Sequence, residues 1–188
     1  MSVFSDANFP RDAEGRTYHL AVRVGDVAPR ILSVGDAGRA ERIARAHLSE
    51  RAPPIESSRG FVTHTGSFNG TRVSIVATGM GTPMIDFVVR ETRAVVPGGG
   101  MLVLRFGTCG GLSAEDPATT VVVPSAGSVF ARREPDAVAD GAASPYSISR
   151  PVLPDAELTA ALLHRMRERV GAELGHKVVE GGDVTCDR

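Results

Sequence analysis

The first part of the chain alternates between short apolar runs and segments whose apolar residues recur at helical spacing. Residues 30–35 (RILSVG) form an apolar run that ends in glycine, and the segment after it has helical apolar spacing. Together they predict a strand, a turn and a helix. Residues 60–70 have strand-like content and end in Asn69-Gly70, a strong hairpin signal, and residues 71–77 supply the returning strand.

A second helix and a second apolar strand follow the predicted hairpin. Thr82 and Pro83 suit the N-cap and the first position of a helix, which Pro97 and the glycines after it would end. Residues 101–107 (MLVLRFG) predict an apolar strand of the buried type, interrupted only by Arg105. Successive turns of the helix are marked by Met84, Val88, Glu91 and Val95.

The rest of the chain predicts shorter strands, a long loop and one more helix. Residues 119–124 and 126–133 predict two strands, and the polar residues 134–151 predict a loop. Asp155 is suited to cap a helix that would end just before Gly171. One face of that helix would carry Leu158, Leu162, Met166 and Val170.

The order of these elements defines the expected fold class. Alternating strands and helices with an inserted hairpin, followed by a last strand near His176, predict a three-layer α/β/α domain with a mixed central sheet. The chain has 188 residues, of which 42% are hydrophobic and 23% charged, which suits one globular domain. We therefore expect a single domain over residues 1–188.

Charge and cysteine content exclude several classes of protein. The chain has 21 basic and 22 acidic residues and a formal net charge of -1, so it has no overall attraction to nucleic acid or anionic lipid. Apolar runs stop short of the ~20 residues that a membrane span needs, and the start is polar, so we expect a cytoplasmic protein. Cys109 and Cys186 are too few for a disulfide scaffold, and the five histidines lack zinc-ligand spacing, so we expect no metal site.

Arginine lies close to the carboxyl ends of both apolar strands. Arg39 follows Gly35 at the start of the first helix, and Arg105 lies in the run that leads to Thr108. Ligands of open α/β sheets bind beyond the carboxyl ends of the strands, where glycine permits close backbone approach and helix N-termini supply free N–H groups. This pattern favours an anion site, with phosphate as the obvious anion.

Each of these residues also has a purely structural interpretation. Taken alone, an arginine such as Arg39 at a helix start is more often a solvated surface charge than a ligand-binding residue. Arg105 interrupts apolar residues and needs an anionic partner, which a buried Asp or Glu could supply instead of a ligand. Gly79 and Gly81 allow close backbone approach but also suit an ordinary tight turn. No P-loop, dinucleotide-binding or serine-hydrolase pattern is present.

Four segments, DVAPRILSVGDAGRAERIA, SSRGFVTHTGSFNG, VSIVATGMGTPMIDFVVRE and LRFGTCGGL, together with Tyr18-His19-Leu20 before them, carry a resemblance that covers most of the chain. They resemble the nucleoside phosphorylase family, and most closely its uridine phosphorylase branch. The resemblance implies reversible phosphorolysis of uridine to uracil and ribose 1-phosphate in pyrimidine nucleoside salvage. It also implies a homodimer that binds nucleoside and phosphate, with no cofactor because inorganic phosphate is itself a substrate.

The resemblance also implies roles for particular residues. Thr108 matches a residue that touches both phosphate and sugar. Arg59 and His19 match residues that one subunit of a dimer lends to the other, with His19 directed to the sugar 5′-hydroxyl. Cys109 and Gly110 match the loop that flanks the base. The positions that match phosphate-binding residues are Gly35, Arg39, Arg59, Arg105 and Thr108.

The chain departs from the family pattern at three places. Ala37 stands where the family usually has proline, and Gly60 stands where bacterial members have a glutamate associated with a monovalent cation, so we expect no metal there. The family's base-reading and ribose-gripping residues would lie beyond Arg188. We therefore expect residues 1–188 alone to bind phosphate without turning over uridine, and two alternatives stay open: a purine nucleoside phosphorylase, and a catalytically silent fragment acting as a partner subunit.

Overall fold

In the computed structural model, which describes residues 6–141 and 144–186, the first half of the chain is built on a five-stranded sheet with the order β2-β3-β4-β1-β5. Strands β1, β4 and β5 run parallel to one another, whereas β2, β3 and β4 pair antiparallel. The mixed sheet that we predicted is therefore confirmed. The strands are β1 (Arg30–Val34), β2 (Ile55–Glu56), β3 (Val62–Phe68), β4 (Thr71–Ala77) and β5 (Leu102–Phe106).

Two helices, α1 (Ala37–His47) and α2 (Thr82–Val95), cover opposite faces of this sheet. Side chains of a strand alternate between its two faces, so each strand contributes to two separate clusters. One cluster packs Val34 and Ile75 against Ala40 and Ala44 of α1. The other packs their strand neighbours against α2, and it includes Ile31, Val76, Val88 and Val95. This arrangement confirms the predicted α/β class with three layers.

Local signals account for the chain's path between these elements. Asp36 is the N-cap of α1, and its Oδ1 accepts a hydrogen bond from the Arg39 backbone N–H at 2.7 Å. The hairpin between β3 and β4 turns at Asn69 and Gly70, whose φ angles of 48° and 74° are those of a type I′ turn. The hairpin turn agrees with the sequence prediction, whereas the capping role of Asp36 was not predicted. Helix α2 begins one residue earlier than predicted, with Gly81 rather than Thr82 at its N-cap.

Strand β5 differs from the buried strand that we predicted. It pairs with β1 on one side and is the edge of the sheet in the described part of the chain. Leu102 is 38% exposed and Phe106 is 48% exposed. The apolar run identified the strand correctly, but burial depends on what lies beside it, which the run itself does not encode.

The chain divides into two compact units, Met1–Thr108 and Cys109–Arg188. Our expectation of a single domain over residues 1–188 stays a prediction beside this division. In the second unit the elements are β6 (Val121–Val123), β7 (Ser128–Arg133), α3 (Pro135–Ala139), β8 (Tyr146–Ile148), α4 (Ala156–Met166), β9 (Val178–Glu180) and β10 (Asp183–Cys186).

The second unit corrects two predictions. Residues 134–151, which we expected to be a loop, contain α3 and β8 in their described part, and β8 pairs antiparallel with β7. Helix α4 is capped as predicted, since Asp155 accepts from the Leu158 N–H at 2.8 Å. It does not stop before Gly171, because a π-helical stretch, Arg167–Ala172, continues it and includes that glycine. No helix in the described residues combines the length and apolarity needed to cross a membrane.

Candidate functional site

Three parallel strands, β4, β1 and β5, end at the same edge of the first unit's sheet. Val34 lies opposite Ala77 of β4 and Phe106 of β5, so the three strands finish in register. Thr78 ties two of these ends together, because its N–H and its hydroxyl both donate to the Val34 carbonyl, at 2.7 and 3.0 Å. The loops that follow are therefore gathered where α/β sheets bind ligands.

The Arg105 guanidinium lies beside Gly35 at this edge. A Cβ atom added to Gly35 would lie 3.4 Å from Arg105 Nη2 and 3.7 Å from the Gly79 carbonyl oxygen. The absence of a side chain at Gly35 thus leaves the space above the backbone open beside the guanidinium. Gly79, for which the sequence left both close approach to a ligand and an ordinary tight turn open, belongs to the same group.

Arg39 is close enough to Arg105 for the two charges to repel each other. Partial burial, and then the Arg39 charge, lower the pKa of Arg105, which stays protonated at neutral pH. In the described part of the chain neither arginine forms an ion pair with a carboxylate. Two neighbouring like charges without a carboxylate partner form a site that an anion would stabilise.

The structure corrects one step of the argument for Arg105. We expected a buried guanidinium, but Arg105 lies on the edge strand, where it is exposed to solvent and only partly buried. The cost of burying an unpartnered charge is therefore small here, and the protein alternative, a buried Asp or Glu beside it, is not found among the described residues. What favours an anion is instead the pair of adjacent guanidinium groups beside an open glycine.

The start of α1 adds N–H groups near Arg39. The first N–H groups of a helix have no partner within the helix, and Ala37 and Gly38 occupy these positions. The Asp36 carboxylate takes up the Arg39 N–H and adds a negative charge at this end. Ala37 begins the helix although the family has proline at this point, so the substitution leaves the helix start in place.

The remaining strand-end residues lie farther along the chain. Thr108 is exposed, two residues after the end of β5, and it is the last residue of the first unit. Cys109 and Gly110 are exposed and belong to the second unit. Their roles beside the base stay predictions.

Arg59 and His19 belong to a second group of side chains, joined through Tyr18. The Arg59 guanidinium lies 4.5 Å from the centre of the Tyr18 ring and donates a hydrogen bond to the Tyr18 hydroxyl. The Tyr18 and His19 rings meet edge to face with their centres 5.0 Å apart. The structure therefore brings Arg59 and His19 into one group, and Gly35, Arg39 and Arg105 into another.

Glu91 anchors the second group and was not identified as functional from the sequence. Its carboxylate is buried, and it accepts from the N–H groups of His19 and Leu20 at 3.0 and 2.8 Å. Its Oε1 also lies 2.6 Å from His19 Nδ1. The available signal was the position of this acidic residue, which shares the inner face of α2 with Val88 and Val95.

No cluster of three or more metal-ligating side chains occurs among the described residues. Gly60, at the position where bacterial family members have a glutamate, is exposed and has a φ of 86°. A glycine here contributes no side-chain ligand. Our expectation of no metal at this position stays a prediction.

The fold and the first group of residues define an α/β protein with a cationic site at the ends of its parallel strands. A family model described as the phosphorylase superfamily matches residues 29–188. The chain belongs to the phosphorylase superfamily. This result confirms the family resemblance that we drew from the four sequence segments.

Two groups of relatives match the chain. It is 31% identical to a uridine phosphorylase of Treponema pallidum over 78% of its own length and 52% of the relative's. It is 42% identical to a DeoD-type purine nucleoside phosphorylase of Streptococcus uberis over 50% of its own length and 38% of the relative's. The chain thus spans about half the length, or less, of these curated relatives.

Solved structures match over nearly the whole chain. A structure from a study of two uridine phosphorylases of the oomycete Phytophthora capsici has a TM-score of 0.90 and 40% identity, covering 98% of this chain and 67% of that one. A Trypanosoma brucei nucleoside phosphorylase has a TM-score of 0.72 at 21% identity, which supports the fold alone.

Proposed function

We propose that this chain provides the phosphate-binding part of an enzyme that cleaves uridine by phosphorolysis. The observation that carries the proposal is the position of the Arg105 guanidinium beside Gly35 and near Arg39, at the carboxyl ends of parallel strands. Arginine binds phosphate oxygens through paired N–H donors, and strand ends and helix starts add backbone N–H groups. Family membership supplies the reaction class for this anion site.

In the proposed reaction a phosphate oxygen attacks C1′ of the nucleoside. The bond between C1′ and the base nitrogen breaks, its electron pair leaves with the base, and a proton from solvent neutralises the departing base. The products are ribose 1-phosphate and the free base, and no further cofactor takes part. Because the sugar becomes oxocarbenium-like as the bond breaks, an anion held beneath C1′ lowers the barrier.

The residues of this chain take distinct parts in that reaction. Gly35, Arg39, Arg105 and Thr108 hold phosphate, and Thr108 also contacts the sugar. Arg59 and His19 act across the two-fold interface of a homodimer, where Arg59 binds the partner's phosphate and His19 the 5′-hydroxyl of its sugar. Cys109 and Gly110 flank the base. We place this salvage reaction in the cytoplasm.

Uridine is the proposed substrate because the match to the Phytophthora uridine phosphorylase structure extends over 98% of this chain. A purine nucleoside is the second candidate, supported by the 42% identity to the Streptococcus uberis enzyme over 94 residues. A uridine and a purine nucleoside phosphorylase would share the phosphate site and differ in the base that they release. The identity of the released base therefore distinguishes the two candidates.

The experiment combines phosphate binding with nucleoside cleavage. The purified chain is titrated with inorganic phosphate by calorimetry, and release of uracil or hypoxanthine is then followed from uridine or inosine, with and without phosphate. Phosphate binding that needs Arg105 supports the proposal, and binding without cleavage agrees with our expectation that residues 1–188 alone do not turn over uridine. Phosphate-dependent release of uracil would overturn that expectation and show that this chain cleaves uridine by itself. Preferential release of hypoxanthine identifies a purine enzyme, cleavage that ignores phosphate identifies a hydrolase, and phosphate affinity that does not depend on Arg105 overturns the proposal.

A further inference from the structure

A single buried carboxylate organises the segment that carries His19. Glu91 is 5% exposed and lies on the inner face of α2, about seventy residues along the chain from His19. Three N–H groups surround its two oxygens: the backbone N–H groups of His19 and Leu20, and Nδ1 of the His19 ring. An isolated buried carboxylate is costly, and this set of donors satisfies it.

The contacts of Glu91 determine where the proton of the His19 ring lies. A carboxylate only accepts hydrogen bonds, so the 2.6 Å contact between Nδ1 and Oε1 assigns the proton to Nδ1. A neutral ring then carries a lone pair on Nε2, which makes that atom an acceptor. Among the described residues we find no hydrogen bond to Nε2.

The ring is also held in its plane. The His19 ring stacks on Phe87, which lies one turn before Glu91 on α2, with ring centres 3.7 Å apart and planes 17° from parallel. At the other end of the group from His19, the Arg59 guanidinium lies over the Tyr18 ring. With Nδ1 and one ring face engaged, Nε2 is the ring nitrogen available to a ligand.

We propose that Glu91 is a positioning residue that keeps His19 in its Nδ1–H form, so that Nε2 accepts a hydrogen bond from a sugar hydroxyl. The ligand class is a pentose 1-phosphate or nucleoside with a free hydroxyl, which an acceptor nitrogen recognises as a donor. The inference rests on the proposed function for its ligand. The tautomer of His19, however, is a property of the protein alone.

Nitrogen-15 NMR of the histidine side chains tests the tautomer without any ligand. At pH 8, where an ordinary histidine is neutral, the His19 ring of the parent chain should show a protonated Nδ1 and a bare Nε2. Glu91→Gln should shift the proton toward Nε2, because the new amide offers a donor as well as an acceptor. The matched control is Asp86→Asn, which removes an exposed carboxylate from the same helix and should leave the His19 signals unchanged. A protonated Nε2 in the parent overturns the proposal, whether or not the variant folds.

Binding of ribose 1-phosphate tests the positioning role. Glu91→Gln should weaken the binding of ribose 1-phosphate by about tenfold and the binding of inorganic phosphate by much less, because only the sugar ligand carries the hydroxyl. Glu91→Asp, which keeps the charge but shortens the side chain, should recover part of the loss. Equal affinity of the parent and Glu91→Gln for ribose 1-phosphate overturns the positioning role. If the parent binds neither ligand, the proposed function fails, and the tautomer measurement alone decides the role of Glu91.

Discussion

Replacing Arg105 by alanine tests the phosphate site most directly. The change removes the guanidinium that lies against Gly35 and leaves β5 with its apolar residues and its pairing to β1. Since Arg105 is an exposed residue of the edge strand, its removal should leave the fold intact. The loss should therefore appear in phosphate affinity and not in stability.

The size of the loss follows from the kind of contact and from its surroundings. A hydrogen bond to a charged group contributes about 1.5–3 kcal/mol. Solvent exposure and relief of the repulsion with Arg39 both reduce the net effect, so we expect the lower end, roughly 1.5–2 kcal/mol or a ten- to thirtyfold weaker affinity. Arg105→Lys should lose less phosphate affinity than Arg105→Ala, because lysine keeps the positive charge. It should still bind more weakly than the parent, because lysine lacks the planar fork of donors.

Isothermal titration calorimetry with inorganic phosphate at low and at high chloride concentration measures this effect. The matched control is Arg90→Ala, which removes an exposed arginine of α2 that pairs with Asp86 at 3.7 Å. The parent and the control should bind phosphate with equal affinity. The difference in phosphate affinity between the parent and Arg105→Ala should become smaller at high chloride, because salt screens the charges. An unchanged phosphate affinity in Arg105→Ala would refute the assignment of this edge as the phosphate site.

Three further predictions address stability, pH dependence and assembly. Asp36→Ala should lower the free energy of unfolding by about 1 kcal/mol, because α1 loses its N-cap; urea denaturation measures this, and an unchanged midpoint would contradict the capping role. Burial lowers the pKa of His64, so as pH falls below the ordinary histidine value the unfolded state takes up the proton first and the free energy of unfolding declines. His64→Gln should weaken this decline between pH 8 and 5. Equal slopes of unfolding free energy against pH in the parent and the variant would argue against a role for His64. Sedimentation equilibrium should show a homodimer. If Arg59 acts across the interface, mixing Arg59→Ala with Arg105→Ala subunits should restore an intact phosphate site in each mixed dimer. A stable monomer that still needs Arg59 to bind phosphate would exclude a role for Arg59 across an interface.

The parts of the fold that the sequence predicted are those with local causes. Asp155 caps a helix as predicted, because an acidic side chain reaches an N–H group only three residues ahead. Asn69 and Gly70 turn the chain because both tolerate positive φ. Such signals lie within a few residues of the structure they produce, so a single sequence displays them.

Features set by distant neighbours were less accessible. The exposure of β5 depends on which strand lies beside it, and the apolar run of residues 102–106 contains no record of that. The role of Glu91 depends on a segment that is 72 residues away and that contributes backbone N–H groups, which every sequence has. Residues 134–151 are polar enough for a loop, yet their described part pairs with β7 through β8. In each case the missing information was tertiary contact.

The members of the second group of side chains share one physical property, which is that contacts within the protein hold them before any ligand arrives. A free arginine side chain loses about 2 kcal/mol of rotamer entropy when it is immobilised, and a ligand that has to order it binds more weakly by a similar amount. Arg59 already lies on the Tyr18 ring. Glu91 extends the same principle to His19 by fixing both its backbone and its ring. In the phosphorolysis that we propose, positioning of an anion beneath a developing cation would supply much of the rate, so prior ordering of the groups that bind phosphate and sugar would favour the reaction.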